Sequence, residues 1–105
     1  MWHEDDGMMA IYASLEDGQG TFPRMCPVCG EGHAHVLMHG FEPSDPRGTV
    51  WVWCDSCGGY THFSGAVPTW WRNPEFVDED RLDSFVDYPD GISAKIDGWV
   101  NALLE

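Results

Sequence analysis

The sequence predicts an α+β fold in which a central three-stranded antiparallel sheet is flanked by N- and C-terminal helical segments. Three observations lead to this prediction: a C-x2-C-x24-C-x2-C pattern, three short β-rich segments around it, and a C-terminal segment with helical periodicity. The chain has 105 residues, 43% of them hydrophobic, which suits one domain over residues 1–105. Within that domain we expect a cysteine-rich sheet over 26–64 and an acidic, partly helical region over 74–105.

The two cysteine pairs are Cys26 with Cys29 and Cys54 with Cys57, each followed directly by glycine. A two-residue gap lets one tight turn present both thiolates to one ion, and four thiolates suit tetrahedral Zn2+. The glycine predicts positive φ after each pair, in a turn that directs backbone N–H groups at the sulfurs. Disulfides are disfavoured because no secretory signal is evident, and a redox-active pair would need a thioredoxin-like βαβ pattern. The pattern therefore predicts a structural metal site, since four sulfurs leave no coordination position for water.

The motifs Cys-Pro-Val-Cys-Gly and Cys-Asp-Ser-Cys-Gly resemble the two knuckles of zinc-ribbon and rubredoxin-like domains. This resemblance covers residues 26–64, and it implies that the central sheet is a zinc ribbon. It also implies Zn2+ as the bound metal, with Fe as the alternative. It is unspecific for function, because zinc ribbons occur in transcription factors, ribosomal proteins, enzymes and adaptors.

Three strands are predicted in and after the interval between the pairs, at 34–39, 49–53 and 60–64. Strict alternation collects histidines and large aromatic residues on one face of the sheet. These residues are His35, His39, Trp51, Trp53, Tyr60 and His62. Two interpretations stay open: a second core layer under the flanking helices, or a binding surface, since Trp and Tyr are enriched at hot spots.

The flanking segments are less uniform. Residues 8–15 form a short apolar element whose periodicity fits a helix or a strand. Trp70 and Trp71 lie between prolines and predict an extended, packed crossing segment, while residues 75–87 are expected to be partly helical. The last segment is predicted to be an amphipathic helix, because its apolar residues follow a helical stripe. That stripe consists of Ile92, Ile96, Trp99, Val100, Leu103 and Leu104.

The formal charge of -13, from 18 acidic and 5 basic residues, restricts the possible partners. Nucleic acids and anionic membranes need basic surfaces that five Lys and Arg residues cannot supply. A basic protein partner is favoured instead, although acidity also serves solubility alone. A dense acidic stretch is either a partner-facing ridge or a solvated helix face. Its candidate partner-binding residues are Glu75, Asp78, Glu79, Asp80, Asp83 and Asp87.

These features favour a non-enzymatic protein-interaction module in the cytoplasm. The aromatic candidates for partner binding are Trp51, Trp53, Tyr60, His62, Trp70 and Trp71. In size, charge and aromatic content the chain resembles small acidic bacterial immunity proteins, which implies inhibition of a basic protein such as a toxin. The alternatives are a rubredoxin-like one-electron carrier and a zinc-ribbon adaptor in transcription or RNA machinery. Catalysis is disfavoured because no complete acid–base–nucleophile set accompanies the histidines His33, His35, His39 and His62.

Overall fold

The computed structural model describes residues 3–17, 21–40, 46–73 and 89–104. Within these ranges the chain forms four strands, β1 His3–Glu4, β2 Ala34–Gly40, β3 Arg47–Cys54 and β4 Gly59–Ala66. It also forms two α-helices, α1 Met9–Ala13 and α2 Pro89–Leu104. Short 3-10 turns, Asp6–Met8 and Ser14–Asp17, precede and follow α1. The undecided apolar element at 8–15 is therefore helical, and the predicted helix at 75–87 lies outside the described residues.

The sheet is four-stranded and mixed, in the order β1-β4-β3-β2. Strands β2, β3 and β4 pair antiparallel, whereas β1 runs parallel to β4, with His3 opposite Gly59 and Glu4 opposite Tyr60. The predicted three-stranded antiparallel ribbon is therefore wrong. A strand of two residues is too short to show an alternating pattern in the sequence. β1 forms because its backbone hydrogen-bonds to the residues that follow the second cysteine pair. The His3 N–H donates to the Gly58 carbonyl (2.9 Å) and the Asp5 N–H to the Tyr60 carbonyl (2.8 Å).

Both faces of the central strand β3 are buried. Val50 and Val52 lie on one face and are 0% exposed, and Trp51 and Trp53 lie on the other and are 3% and 0% exposed. Helix α1 covers the valine face, where Tyr12 packs edge-on against Phe63 with ring centroids 4.8 Å apart. The tryptophan face is therefore not left open, and α2 is the element that covers it.

Helix α2 packs on the tryptophan face through the apolar stripe that the sequence predicted. Ile96 and Val100 are fully buried, while Trp99, Leu103 and Leu104 are half-buried against the core. Asn101 fixes the helix to the segment before the first cysteine pair, because its Oδ1 accepts from the Phe22 N–H (2.7 Å) and its Nδ2 donates to the Phe22 carbonyl (2.9 Å). Neither α-helix in the described ranges is long and apolar enough to cross a bilayer.

Candidate metal centre

The four cysteines come together in one cluster. Their Sγ atoms all lie within 4.8 Å of one another, and two contacts join the two turns, Cys26 to Cys57 at 3.8 Å and Cys29 to Cys54 at 3.7 Å. A regular tetrahedron with zinc–sulfur bonds of ~2.3 Å has sulfur–sulfur edges of about 3.8 Å. A disulfide would bring two sulfurs to about 2.05 Å, and all four thiols are free. The spacing of the sulfurs therefore fits a single tetrahedral metal ion.

The two turns that carry the sulfurs, called here the first knuckle (26–30) and the second knuckle (54–58), have the same backbone design. Gly30 has φ +80° and Gly58 has φ +78°, as the position after each pair predicted. Each glycine N–H closes its turn on the first cysteine's carbonyl, at 2.9 Å on Cys26 and 3.0 Å on Cys54. Without a Cβ, glycine adopts this left-handed conformation at little cost.

Backbone N–H groups point at the sulfurs. The Val28 and Cys29 N–H groups approach Cys26 Sγ at 3.3 and 3.5 Å, and the Gly59 N–H approaches Cys57 Sγ at 3.4 Å. Such donors stabilise negative charge on thiolate ligands and hold them in position for a metal. The knuckles therefore direct backbone donors at the sulfurs, as ionised sulfur ligands require.

Burial opposes that ionisation. It raises the pKa of the Cys54 thiol to about 12, and it raises the pKa of Cys57 as well. At the exposed Cys29 the pKa is instead lowered, chiefly by the Glu31 backbone N–H. Because desolvation penalises a buried thiolate, Cys54 stays protonated at neutral pH unless a cation balances its charge. A bound metal supplies that charge and displaces the thiol protons, so the cluster is suited to a cation and poorly suited to remain as four thiolates.

A buried ion pair connects the second knuckle to helix α2. His35 is 3% exposed and lies between two carboxylates, with Nδ1 at 2.7 Å from Asp97 Oδ1 and Nε2 at 2.8 Å from Asp55 Oδ2. Burial alone would lower the pKa of His35, but Asp97 and then Asp55 outweigh it and raise the pKa above its usual value. The structure thus favours a protonated His35 that ties α2 to the residue after Cys54.

Sequence reasoning missed this Asp97–His35–Asp55 link, although it placed His35 on the aromatic face. The three residues are 20 and 62 positions apart, so no periodic pattern joins them. The one local sign is the position of Asp97, which directly follows Ile96 in the apolar stripe of α2 and is 8% exposed. A carboxylate that is buried in this way needs a charged or donating partner.

The aromatic residues expected to contact a partner are mostly part of the core. Trp51, Trp53 and Trp71 are at most 8% exposed and belong to the hydrophobic core. Tyr60 and Trp70 are half-buried. His62 is exposed and stacks on Trp51, with ring centroids 4.9 Å apart and planes 9° from parallel.

The acidic candidates are not placed by the structure. The residues Glu75, Asp78, Glu79, Asp80, Asp83 and Asp87 lie outside the described residues.

Comparison of the chain with protein-family models, curated proteins and solved structures finds no match in any of the three. The four-cysteine cluster, which could hold a metal ion, is therefore the feature from which function must be argued.

Proposed function

We propose that the chain is a non-enzymatic protein-interaction module whose fold is fixed by structural Zn2+, and that it binds and inhibits a basic protein. The observation that carries the proposal is the tetrahedral spacing of four cysteine sulfurs on two knuckles like those of zinc-ribbon proteins. Four thiolates on one ion complete its coordination, and such closed sites stabilise folds and do not activate water.

Zinc is the metal we propose, because a site of four cysteines is its usual structural environment. Iron bound by the same four sulfurs would make the site a one-electron centre.

A structural role for the metal is supported by the scarcity of regular secondary structure around the first cysteine pair. Residues 21–33 contain only one isolated bridge, between Arg24 and Ala34, so the first knuckle has little regular structure of its own.

One of the four candidate acid–base histidines is already engaged. Both ring nitrogens of His35 contact carboxylates, those of Asp97 and Asp55, so neither nitrogen is left to exchange a proton with a substrate. This argues against catalysis by His35.

A basic partner is supported by charge. The formal charge is -13, and four thiolates with one Zn2+ would take it to about -15. Such a field increases the association rate with a basic protein and weakens binding as salt rises. Inhibition is proposed as the outcome of binding because a small acidic protein can cover the basic active site of a nuclease.

The metal assignment is tested by measuring metal content and spectra of purified protein. We expect one Zn2+ per chain by native mass spectrometry, and the visible absorption of tetrahedral cobalt thiolate after Co2+ exchange. Cys29→Ser should lose both signals, whereas the control Ser56→Ala, an exposed non-ligand in the second knuckle, should keep them. A red iron protein would replace the zinc assignment with the electron carrier, and full metal content in Cys29→Ser would contradict the four-sulfur site.

The partner assignment is tested by isothermal titration against purified basic nucleases, with any that is encoded next to this chain taken first. We expect binding that weakens steeply between low and high salt, together with loss of nuclease activity at one equivalent. Binding without loss of activity would remove inhibition and keep the interaction module. Failure to bind at low salt would contradict a basic partner.

A further inference from the structure

The first knuckle exposes apolar side chains. The exposed large hydrophobic residues in the described ranges are Met25 at 72%, Val28 at 41% and Met9 at 38%. Two of them belong to the first knuckle or directly precede it, and the third begins α1. Exposed apolar side chains that cluster in one place commonly mark an interaction site.

Two contacts show that the segments carrying these three residues meet at one junction. Met8, the residue before Met9, lies under the knuckle, with its Sδ at 3.7 Å from Cys26 Sγ. Gly7 lies against Val28, since a Cβ on Gly7 would stand 3.2 Å from Val28 Cγ2. Met9, Met25 and Val28 therefore lie on the two segments that meet where the N-terminal turn contacts the first knuckle, and the exposed region that carries them is called here the knuckle patch.

The surroundings of the knuckle patch are acidic. Asp6 is exposed on the turn that holds Gly7, Glu4 is exposed just before it, and Glu31 is exposed beside the first knuckle, where its carbonyl accepts from the Cys26 N–H at 2.7 Å. Thiolate ligands would add further negative charge at this end of the molecule. An acidic rim around an apolar centre suits a partner that carries cations around apolar side chains.

Most described cations lie elsewhere. Arg47 begins β3, seven residues from Cys54 and so about 23 Å away along the strand. Arg72 precedes Asn73, which binds the Gly40 end of β2, at the same far end of the sheet. Arg24, next to Met25, donates to Ser14 Oγ at 2.5 Å and packs over the Phe22 ring. Lys95 is on α2, across the sheet from α1.

We infer that the knuckle patch is the docking surface for the basic partner, an inference that rests on the proposed function. Methionine is flexible and polarisable, so Met9 and Met25 adapt to an apolar side chain of the partner while the acidic rim meets its cations. A second copy of this chain is disfavoured as the occupant, because two acidic rims would face each other. The partner is thus a basic protein segment with apolar side chains between its cations.

The test uses the full zinc-loaded chain with 13C-labelled methionine methyl groups. The probe is a synthetic amphipathic peptide with Leu and Lys at helical spacing, and a peptide with Glu in place of each Lys is its control. We expect the Met9 and Met25 methyl signals to shift and saturate with the Lys peptide alone. Met38, on β2, is 0% exposed and serves as the internal control whose signal should move little.

A double variant, Met25→Ser with Val28→Ser, should weaken peptide binding about tenfold, since it removes apolar surface that the complex buries. Ala102→Ser, at an exposed site on α2, is the matched control and should bind as wild type does. Because the side chains of Met25 and Val28 are exposed, zinc content should be unchanged in the double variant.

Salt-sensitive binding without shifts at Met9 and Met25 would overturn the knuckle patch and leave the proposed function standing. Methyl shifts that depend on protein concentration without peptide would assign the patch to self-association and overturn the inference, as would no binding of the Lys peptide. The nuclease titration decides the proposed function separately.

Discussion

Replacing Asp97 with asparagine tests whether the buried carboxylate holds a charged His35. Asp97 Oδ1 is 2.7 Å from His35 Nδ1, and the two side chains are 11% and 4% exposed. Asparagine keeps the size and one hydrogen bond of the side chain but removes its charge. The substitution therefore isolates the electrostatic part of this contact.

The expected loss follows from burial and from the second partner of His35. Removing one member of a buried ion pair costs about 3–5 kcal/mol when the other charge is left alone. Here Asp55 Oδ2 remains 2.8 Å from Nε2, so the loss should approach that of one charged hydrogen bond, about 1.5–3 kcal/mol. In a domain of this size that corresponds to a fall in Tm of about 6–12 °C.

The effect should depend on pH in a defined direction. The folded pKa of His35 is raised, so the stability from its protonated form is fully present below about pH 6.5 and is lost as pH rises through the raised pKa. Asp97→Asn should therefore cost more free energy of unfolding at pH 6 than at pH 9. Urea denaturation of zinc-loaded protein at both pH values measures this difference. Asp6→Asn, an exposed change of the same charge, is the control and should cost little at either pH. An equal cost for Asp97→Asn at pH 6 and pH 9 would refute the charged pair.

Three further predictions concern the backbone, one helix contact and the metal. Gly58→Ala should lower the free energy of unfolding by about 1–2 kcal/mol, because Gly58 has φ +78°. Gly98→Ala in α2 should raise it by about 0.5–1 kcal/mol, because a Cβ there meets nothing within 4 Å. The urea midpoints of the two variants measure both changes. Asn101→Asp removes the donor to the Phe22 carbonyl but keeps the acceptor of the Phe22 N–H. It should lower the free energy of unfolding by about 1–3 kcal/mol, and an unchanged urea midpoint would contradict a stabilising role for the lost bond. Removal of the metal by a chelator, or by acid that protonates the thiols, should lower the Tm of the protein. An unchanged melting curve after full release of the metal would contradict a structural site.

The cysteine cluster and its glycine turns could be predicted because their signal is local. Spacing, ligand chemistry and the left-handed turn are all properties of five consecutive residues, and Gly30 and Gly58 have the predicted φ. The alternation also gave the correct face for Trp51, Trp53 and His35. Whether that face was open could not be predicted, because it is covered by α2, which is more than 30 residues away in the sequence. Burial by a distant element decides between a core and a binding surface.

The N-terminal strand and the ion pair were unpredictable for a related reason. β1 consists of His3 and Glu4 and depends on where the second knuckle leaves its backbone carbonyls. The ion pair depends on α2 bringing Asp97 to His35, which no local pattern encodes. Both features depend on how distant segments pack in the folded protein, so local sequence patterns do not predict them.

The two knuckles have the same backbone geometry but different surroundings, and this difference separates their roles. The second knuckle is held on both sides, since Asp55 binds His35 and, through it, α2, while the His3 ring meets the Cys57 carbonyl at 3.1 Å. In and beside the first knuckle, Val28 and Met25 are exposed, and so is its Cys29. A metal ion shared by both would transmit the rigidity of the anchored second knuckle to the first. Partner binding at the knuckle patch should therefore require the metal even though the ion itself would contact no partner.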